Sequence, residues 1–470
     1  MFNMKSVRRF LCFAGLIFLS GIVFPGCAQK SRQDDVKATA TAESPLLGKR
    51  FFTFVTVVRV NQIEVARDRN LGADEANLHS VEAVRSLREN FAKAFPGGRM
   101  TWAFSWLALH DQRENYQAIR KQVVEYHRQF GDEITFIPGA YFAPMYNTRE
   151  QVNKDLHEAL QMVSEMVGGG YRPLCVIAGF LDSENQRYLA EQENIHVCQG
   201  TIWSQYGIDN GDGDGSLSYP YYPSREHYCK PAQGPADFID CVCLDGWTCD
   251  FLTARRAGFA GGFNSRMGLG PIETLMNLGP ETGLKEQLFT TALHFDDGFK
   301  RNSFAWTTVI WEVVLGTNTF TNLPAYGAEV RRRWPDVQCP TEGEFGELFR
   351  RQFKDNSKLD YRFVERGSGI HGSDTNLEIR WFMNQDFRLA MLHDWTKPSD
   401  RARVIDFTRY DLKAHEPKDM GRNWSLMNRI NQKGTRPQDK AVFLEELPQD
   451  DQAFIQRRLP ELFAPATQTR

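Results

Sequence analysis

Carboxylates stand in this chain at places where paired-acid chemistry would need them. Asn61-Gln62-Ile63-Glu64-Val65-Ala66-Arg67-Asp68 follows a strongly apolar stretch and carries two carboxylates, two amides and an arginine. Glu64 and Asp68 are candidates for a general acid, a general base or a metal ligand. A salt-bridged loop explains the same composition. Leu244-Asp245-Gly246-Trp247 closes another apolar stretch, and His294, Asp296 and Asp297 precede an aromatic run through Trp306, Trp311 and Glu312. Glycoside hydrolysis needs two facing carboxyl groups, about 5 Å apart for retention and wider for inversion. The pairs to consider are Glu64 with Asp245 and Glu64 with Asp296.

Aromatic and oxygen-rich segments lie beside these acids. Ser218-Tyr219-Pro220-Tyr221-Tyr222-Pro223-Ser224 holds three tyrosines between prolines. With Trp203 and Trp247, Tyr219, Tyr221 and Tyr222 are candidate sugar-contacting residues; a packed lid is the other reading of that loop. Asp209 to Ser216 places Asn210, Asp212 and Asp214 on alternate positions, as an EF-hand-like loop opens, but Tyr221 stands where the bidentate acid belongs. The choice there is between a structural calcium and a plain Gly/Asp turn. No G-x-S-x-G elbow and no H-E-x-x-H occurs. No other cofactor is expected.

These residues need a scaffold, and the chain offers alternating strand and helix patterns. Strands are expected over Phe51–Val60, Met100–Leu109, Glu133–Phe142, Leu174–Phe180, Ile195–Trp203 and Asp237–Leu244, with a seventh over Ala260–Asn264. Helical stripes run through Val84, Leu87, Phe91 and Phe95, and through Tyr116, Ile119, Val123, Tyr126 and Phe130. Thr148 and Ser183 open capping boxes. Repeated β-then-α units without a Gly-rich phosphate fingerprint favour a (β/α) barrel of about seven strands, with working residues at the C-terminal ends of its strands. From Tyr361 the pattern becomes antiparallel: Tyr361–Glu365, Leu377–Met383 and Phe387–His393, with Arg403–Leu412 adding another strand. The expected organisation is an α/β barrel over 48–350 and a smaller β-rich domain over 355–450.

The N-terminal residues read as an address. Lys5, Arg8 and Arg9 precede the apolar run Phe10–Phe24, then Pro25, Gly26 and Cys27. This is a secretory signal pattern, too short for a membrane span. A small residue before a cysteine points to a lipoprotein signal over 1–26 with lipidation at Cys27, although Phe24-Pro25 departs from the usual residues; an ordinary signal peptide is the alternative. Acyl chains would anchor the protein stably, and 27–47 would be a polar tether. The expected location is the cell envelope, on the outer membrane facing the periplasm or the surface. A formal net charge of −3 argues against nucleic acid, while 12% aromatic residues in an exported chain hint at sugar contacts. Cys229, Cys241, Cys243 and Cys249 cluster as buried thiols, as one disulfide, or, at an unusual spacing, as a zinc site.

The stretch from Gln205 through Asp214-Gly215-Ser216, Tyr219–Ser224, Lys230-Pro231 and Leu244-Asp245-Gly246-Trp247 resembles a group of Bacteroidota lipoproteins. These pair a barrel domain of unknown function with a smaller C-terminal domain of unknown function. The barrel is similar to the glycoside hydrolase/deacetylase superfamily, which implies a polysaccharide or oligosaccharide partner and fixes no reaction. Deacetylases of that superfamily hold a metal with an Asp and an H-x-x-x-H pair. Here the third strand ends Ile137-Pro138-Gly139-Ala140-Tyr141-Phe142 without histidine, so that metal site is not carried over. The reading favoured is a glycoside-hydrolase-like enzyme; its rival is a non-catalytic glycan binder on a degenerate barrel.

Overall fold

Strand β1 (Arg50–Val58) is aromatic and β-branched throughout, and eight of its nine residues are buried, as in a strand covered on both faces. The computed structural model describes residues 46–65, 69–139, 141–202, 215–253, 267–397, 401–418, 420, 424–426 and 441–464. A hairpin follows, β2 (Asn61–Val65) and β3 (Arg69–Asp74). Then come β4 (Thr101–Ser105), β5 (Glu133–Ile137), β6 (Cys175–Ile177), β7 (Val197–Thr201), β8 (Val242–Asp245) and β9 (Ala305–Ile310). Strands β9, β1, β4 and β5 form one parallel run, and β6, β7 and β8 another.

Side chains close the ring at its two seams. Between β5 and β6, the Thr135 hydroxyl donates to the Cys175 carbonyl, and Glu133 accepts the N–H groups of Leu174 and Cys175 at 2.8 and 3.1 Å. Between β8 and β9, Thr248 N–H donates to Thr308 O at 3.0 Å, and Thr308 N–H to Thr248 Oγ1 at 2.9 Å. Among the described residues, seven parallel strands with helices outside them make the expected barrel. The helix Glu342–Gln352 caps its N-terminal end, with Phe345 stacked on Trp306 at 4.8 Å. A methyl group on Gly346 would overlap Val197, which fixes glycine where this helix crosses β7. The short β10 (Val337–Gln338) pairs with the start of β1.

The C-terminal strands β11 (Asp360–Arg366), β12 (Leu377–Asn384), β13 (Phe387–Asp394), β14 (Arg403–Arg409) and β15 (Val442–Phe443) form an antiparallel meander. Alternation gives it two apolar faces. Tyr361, Phe363 and Trp381 join the barrel core. Phe387, Leu389 and Phe407 pack with Ile455 of the helix Gln449–Arg458 in a second core.

Several expected boundaries move. The second strand stops at Ser105, whose hydroxyl accepts Ala108 N–H and starts the helix Trp106–His110. The third stops at Ile137, before Pro138, and the sixth begins only at Val242. Asp182, not Ser183, caps the helix Ser183–Gln192. Ala260–Asn264 lies outside the described residues; the seventh barrel strand seen is β9.

Candidate functional site

Strand direction defines the barrel mouth: Arg59, Ser105, Asp245 and Trp311-Glu312 follow or end their strands at one rim. Glu64 reaches this rim from β2. Its Oε1 accepts Leu107 N–H at 2.6 Å and its Oε2 accepts Val60 N–H at 3.0 Å. The residue is 5% exposed. Burial raises its pKa above the ordinary carboxylate value, opposed by the Ser105 hydroxyl and by the backbone donors. Asp245 ends β8, is buried, and accepts Gly246 N–H at 2.8 Å. Glu64 beside β4 and Asp245 on β8 therefore share the mouth, on opposite sides of the seven-strand ring.

Asp296 is elsewhere. Its Oδ1 accepts Trp334 Nε1–H at 2.8 Å, and its neighbour Phe295 offers its carbonyl to Arg50 Nε at 2.8 Å. Arg50 begins β1, so Asp296 lies at the N-terminal end of the barrel and does not face Glu64. The tyrosines are packed. Tyr219 stacks on Tyr361 at 5.0 Å and hydrogen-bonds His294 Nδ1 at 2.8 Å. Tyr221 donates to Tyr228 O at 2.7 Å, and Tyr222 to Phe353 O at 2.6 Å. All three are at most 1% exposed, so their rings fill the seam between barrel and C-terminal sheet. Trp247 is buried at the mouth, edge-on to Tyr141 at 6.0 Å. Asp68, Trp203, Asn210, Asp212 and Asp214 lie outside the described residues. Among the described tryptophans only Trp395 is exposed, at 48%; the others serve the core.

Two further groups were not singled out by sequence reasoning. At the mouth, Arg59 pairs with Glu75 through Nη2 at 2.9 Å and with Glu312 through Nη1 at 2.8 Å. Burial opposes the guanidinium charge, but these two acids outweigh it and raise its pKa. His79 Nε2 lies 3.2 Å from Arg59 N–H and its Nδ1 3.2 Å from Glu75 O, and burial lowers its pKa. Glu312 ends an aromatic run, the one sequence signal for this group.

The second group is a buried acid trio beside the C-terminal sheet. Asp250 accepts Thr253 N–H and Oγ1–H, both at 2.9 Å. Glu365 accepts Phe251 N–H and Trp381 Nε1–H, both at 2.8 Å. Burial first and Asp250 second push Glu286 to about 10 and Glu365 to about 8. No group of three or more His, Cys, Asp or Glu among the described residues is arranged to hold a metal. The seven described cysteines are free thiols.

The chain matches a domain of unknown function, DUF3863, over residues 44–383 and a second, DUF3864, over residues 388–462. A crystal structure from Parabacteroides distasonis, provisionally named a glycoside hydrolase/deacetylase, is 50% identical, with a TM-score of 0.85, over 89% of this chain and 99% of its own. A protein of Pseudomonas aeruginosa PAO1, provisionally named a polysaccharide deacetylase, is 15% identical at a TM-score of 0.42, over 64% of this chain and 91% of its own. A GH57-type branching enzyme from the hyperthermophilic archaeon Pyrococcus horikoshii is 11% identical at 0.39, over 63% and 70%. No curated protein matches the chain. The chain belongs to the family that joins DUF3863 to DUF3864, a glycoside hydrolase/deacetylase-like barrel followed by a small β-rich domain.

Proposed function

We propose that this protein is a carbohydrate-active envelope lipoprotein, anchored through Cys27 on the outer membrane, and that its barrel works in the manner of a glycoside hydrolase. The observation that carries the reading is the placement of Glu64 and Asp245 at one barrel mouth, on opposite sides of the ring. Glu64, raised by burial, suits the general acid, and Asp245 the partner carboxylate. The half-identical relative bears a glycoside hydrolase/deacetylase name. The H-x-x-x-H pair of metal-dependent deacetylases is missing from the sequence, which favours hydrolysis over deacetylation.

One observation favours a second reading, a non-catalytic glycan binder. Both oxygens of Glu64 already accept backbone N–H bonds, as a structural tie would. A glycan-library assay separates the two. Product release by the wild type, abolished in Asp245→Asn with melting temperature retained and in Glu64→Gln while that variant still folds, supports the enzyme. Retained glycan binding with no product release supports the binder. Mass spectrometry of the mature N-terminus tests the anchor: an unacylated Cys27 overturns it.

A further inference from the structure

Arg59 and Glu312 turn into the barrel mouth. On β1, Phe51 packs on Phe345 of the capping helix, and Thr53 Oγ1 accepts Trp306 Nε1–H at 3.0 Å. Phe52 and Phe54 pack the other way, on Phe95 and Phe91 of an outer helix and its cap. Alternation thus turns the odd-numbered residues of β1 inward, a direction that Arg59 continues. On β9, Trp306 and Thr308 reach Phe345 and Glu342 of the capping helix, and Trp311 stacks outward on Phe54 at 5.7 Å. Glu312 continues that inner face.

The two side chains do not exhaust each other's bonding. Buried Glu75 takes Nε and Nη2 of Arg59 at 2.5 and 2.9 Å, which fixes the plane of the guanidinium. The Tyr116 hydroxyl donates to Arg59 O at 2.8 Å and holds the backbone beneath it. Arg59 Nη1 then donates to Glu312 Oε1 at 2.8 Å. Glu312 Oε2 has no partner among the described residues, and the side chain is 15% exposed, so this oxygen opens to the mouth. Glu64 differs, because both of its oxygens already accept backbone N–H groups. A guanidinium carries more N–H donors than Arg59 uses in these bonds. An open acceptor and open donors therefore stand side by side, a match for sugar hydroxyls, each of which both donates and accepts.

Their place on the ring adds to this. Strands β8, β9, β1 and β4 are consecutive around the barrel. Asp245 ends β8, and Glu64 is held between the ends of β1 and β4 by Val60 and Leu107. Glu312, just past the end of β9, stands on the arc between those two acids. A sugar whose glycosidic bond lies between Glu64 and Asp245 turns one edge of its ring to Glu312 and Arg59.

We propose that Glu312 is a sugar-binding residue of the mouth, whose Oε2 accepts the hydroxyl next to the anomeric carbon of a neutral hexoside, with Arg59 as the residue that positions it. This rests on the glycoside-hydrolase reading above and deepens it by naming a substrate class, a hexoside with a free hydroxyl at that carbon. Hydrogen bonds to this hydroxyl strengthen as the oxocarbenium-like transition state forms. The contact therefore acts on turnover as well as on binding.

The test is kinetic, on the full chain, with nitrophenyl glucoside and galactoside in both anomers and with their analogues lacking the hydroxyl next to the anomeric carbon. The wild type should cleave a hydroxylated glycoside. Glu312→Gln should lower kcat/KM on it about ten- to hundredfold, as expected for one hydrogen bond to a charged group, and leave kcat/KM on its deoxy analogue unchanged. Glu312→Asp keeps a carboxylate beside Arg59 but withdraws it from the mouth; it should show the same selective loss, and it is the variant to read if the amide lowers the melting temperature. Equal loss on both substrates, or loss on neither, overturns the hydroxyl contact and leaves the Glu64 and Asp245 reading standing. Wild-type inactivity on all these glycosides, with product release from another glycan of the library, overturns the hexoside assignment alone. Inactivity on the library as well removes the hydrolase reading with it.

Discussion

Leu107 donates its backbone N–H to Glu64 Oε1 at 2.6 Å, fastening the β2–β3 hairpin to the helix that follows β4. Val60 N–H holds the other oxygen. Glu64→Ala leaves two donors without their acceptor, and each buried unsatisfied group costs roughly 1–3 kcal/mol. Urea unfolding should show a loss of roughly 2–6 kcal/mol for the two donors together. An unchanged midpoint would show that solvent replaces both bonds.

Acidity in the Asp250, Glu286 and Glu365 trio ties stability to pH. Glu286 and Glu365 titrate near 10 and 8 in the folded chain but near 4.3 when unfolded. The folded state therefore holds more protons, and stability falls as pH rises from about 4 through 8 and beyond. The hydrogen-bond donors to the trio given by the described residues are neutral: Thr253 to Asp250, Ser368 to Glu286, and Phe251 and Trp381 to Glu365. Glu286→Gln should flatten the fall, melting higher than wild type at pH 9 and close to it at pH 5. Parallel melting curves for the two proteins across that range would contradict it.

Gly346 sits where the helix Glu342–Gln352 crosses β7, and a Cβ there overlaps the β-branched Val197. Overpacking of this kind costs roughly 1–3 kcal/mol. Gly346→Ala should lower stability by that amount, and the double change with Val197→Ala should recover part of it. Additive losses in denaturant titration would mean the two sites do not meet.

The barrel was legible because its strands are buried on both faces. Apolar runs such as Phe51–Val58 mark such strands, and the helical stripes through Phe91 and Tyr116 mark their covers. The antiparallel sheet was legible through its alternation and its Asn384-Gln385-Asp386 turn, where Asn384 Oδ1 accepts the N–H groups of Asp386 and Phe387. Strand ends were not, because Ser105 and Pro138 stop pairing by local bonding that apolar periodicity does not reveal. Site membership was harder still. Tyr219, Tyr221 and Tyr222 have the composition of a sugar platform, yet their hydroxyls find backbone and histidine partners in the interior. Asp296 follows the same rule: its indole partner, Trp334, lies 38 residues away, and only the closed ring places that pair at the N-terminal end. Arg59, Glu75 and Glu312 meet through three separate strand ends and loops, which no spacing records.

The thiols give a prediction that needs no knowledge of substrate. Six of the seven described cysteines are buried, and Cys339 is partly exposed. Only the thiolate is nucleophilic, and burial raises the thiol pKa of Cys243 to about 12 and lifts that of Cys241 as well. Burial lifts the Cys339 thiol as well, so none of the seven described thiols should react readily with a thiol reagent at pH 8 in the native chain, and all seven should react after unfolding in denaturant. Melting temperature should be indifferent to reductant. A melting temperature that drops on reduction, or peptide mapping of the unfolded, unreduced chain that finds any of Cys229, Cys241, Cys243 and Cys249 unreactive, would establish a disulfide there and displace the free-thiol arrangement.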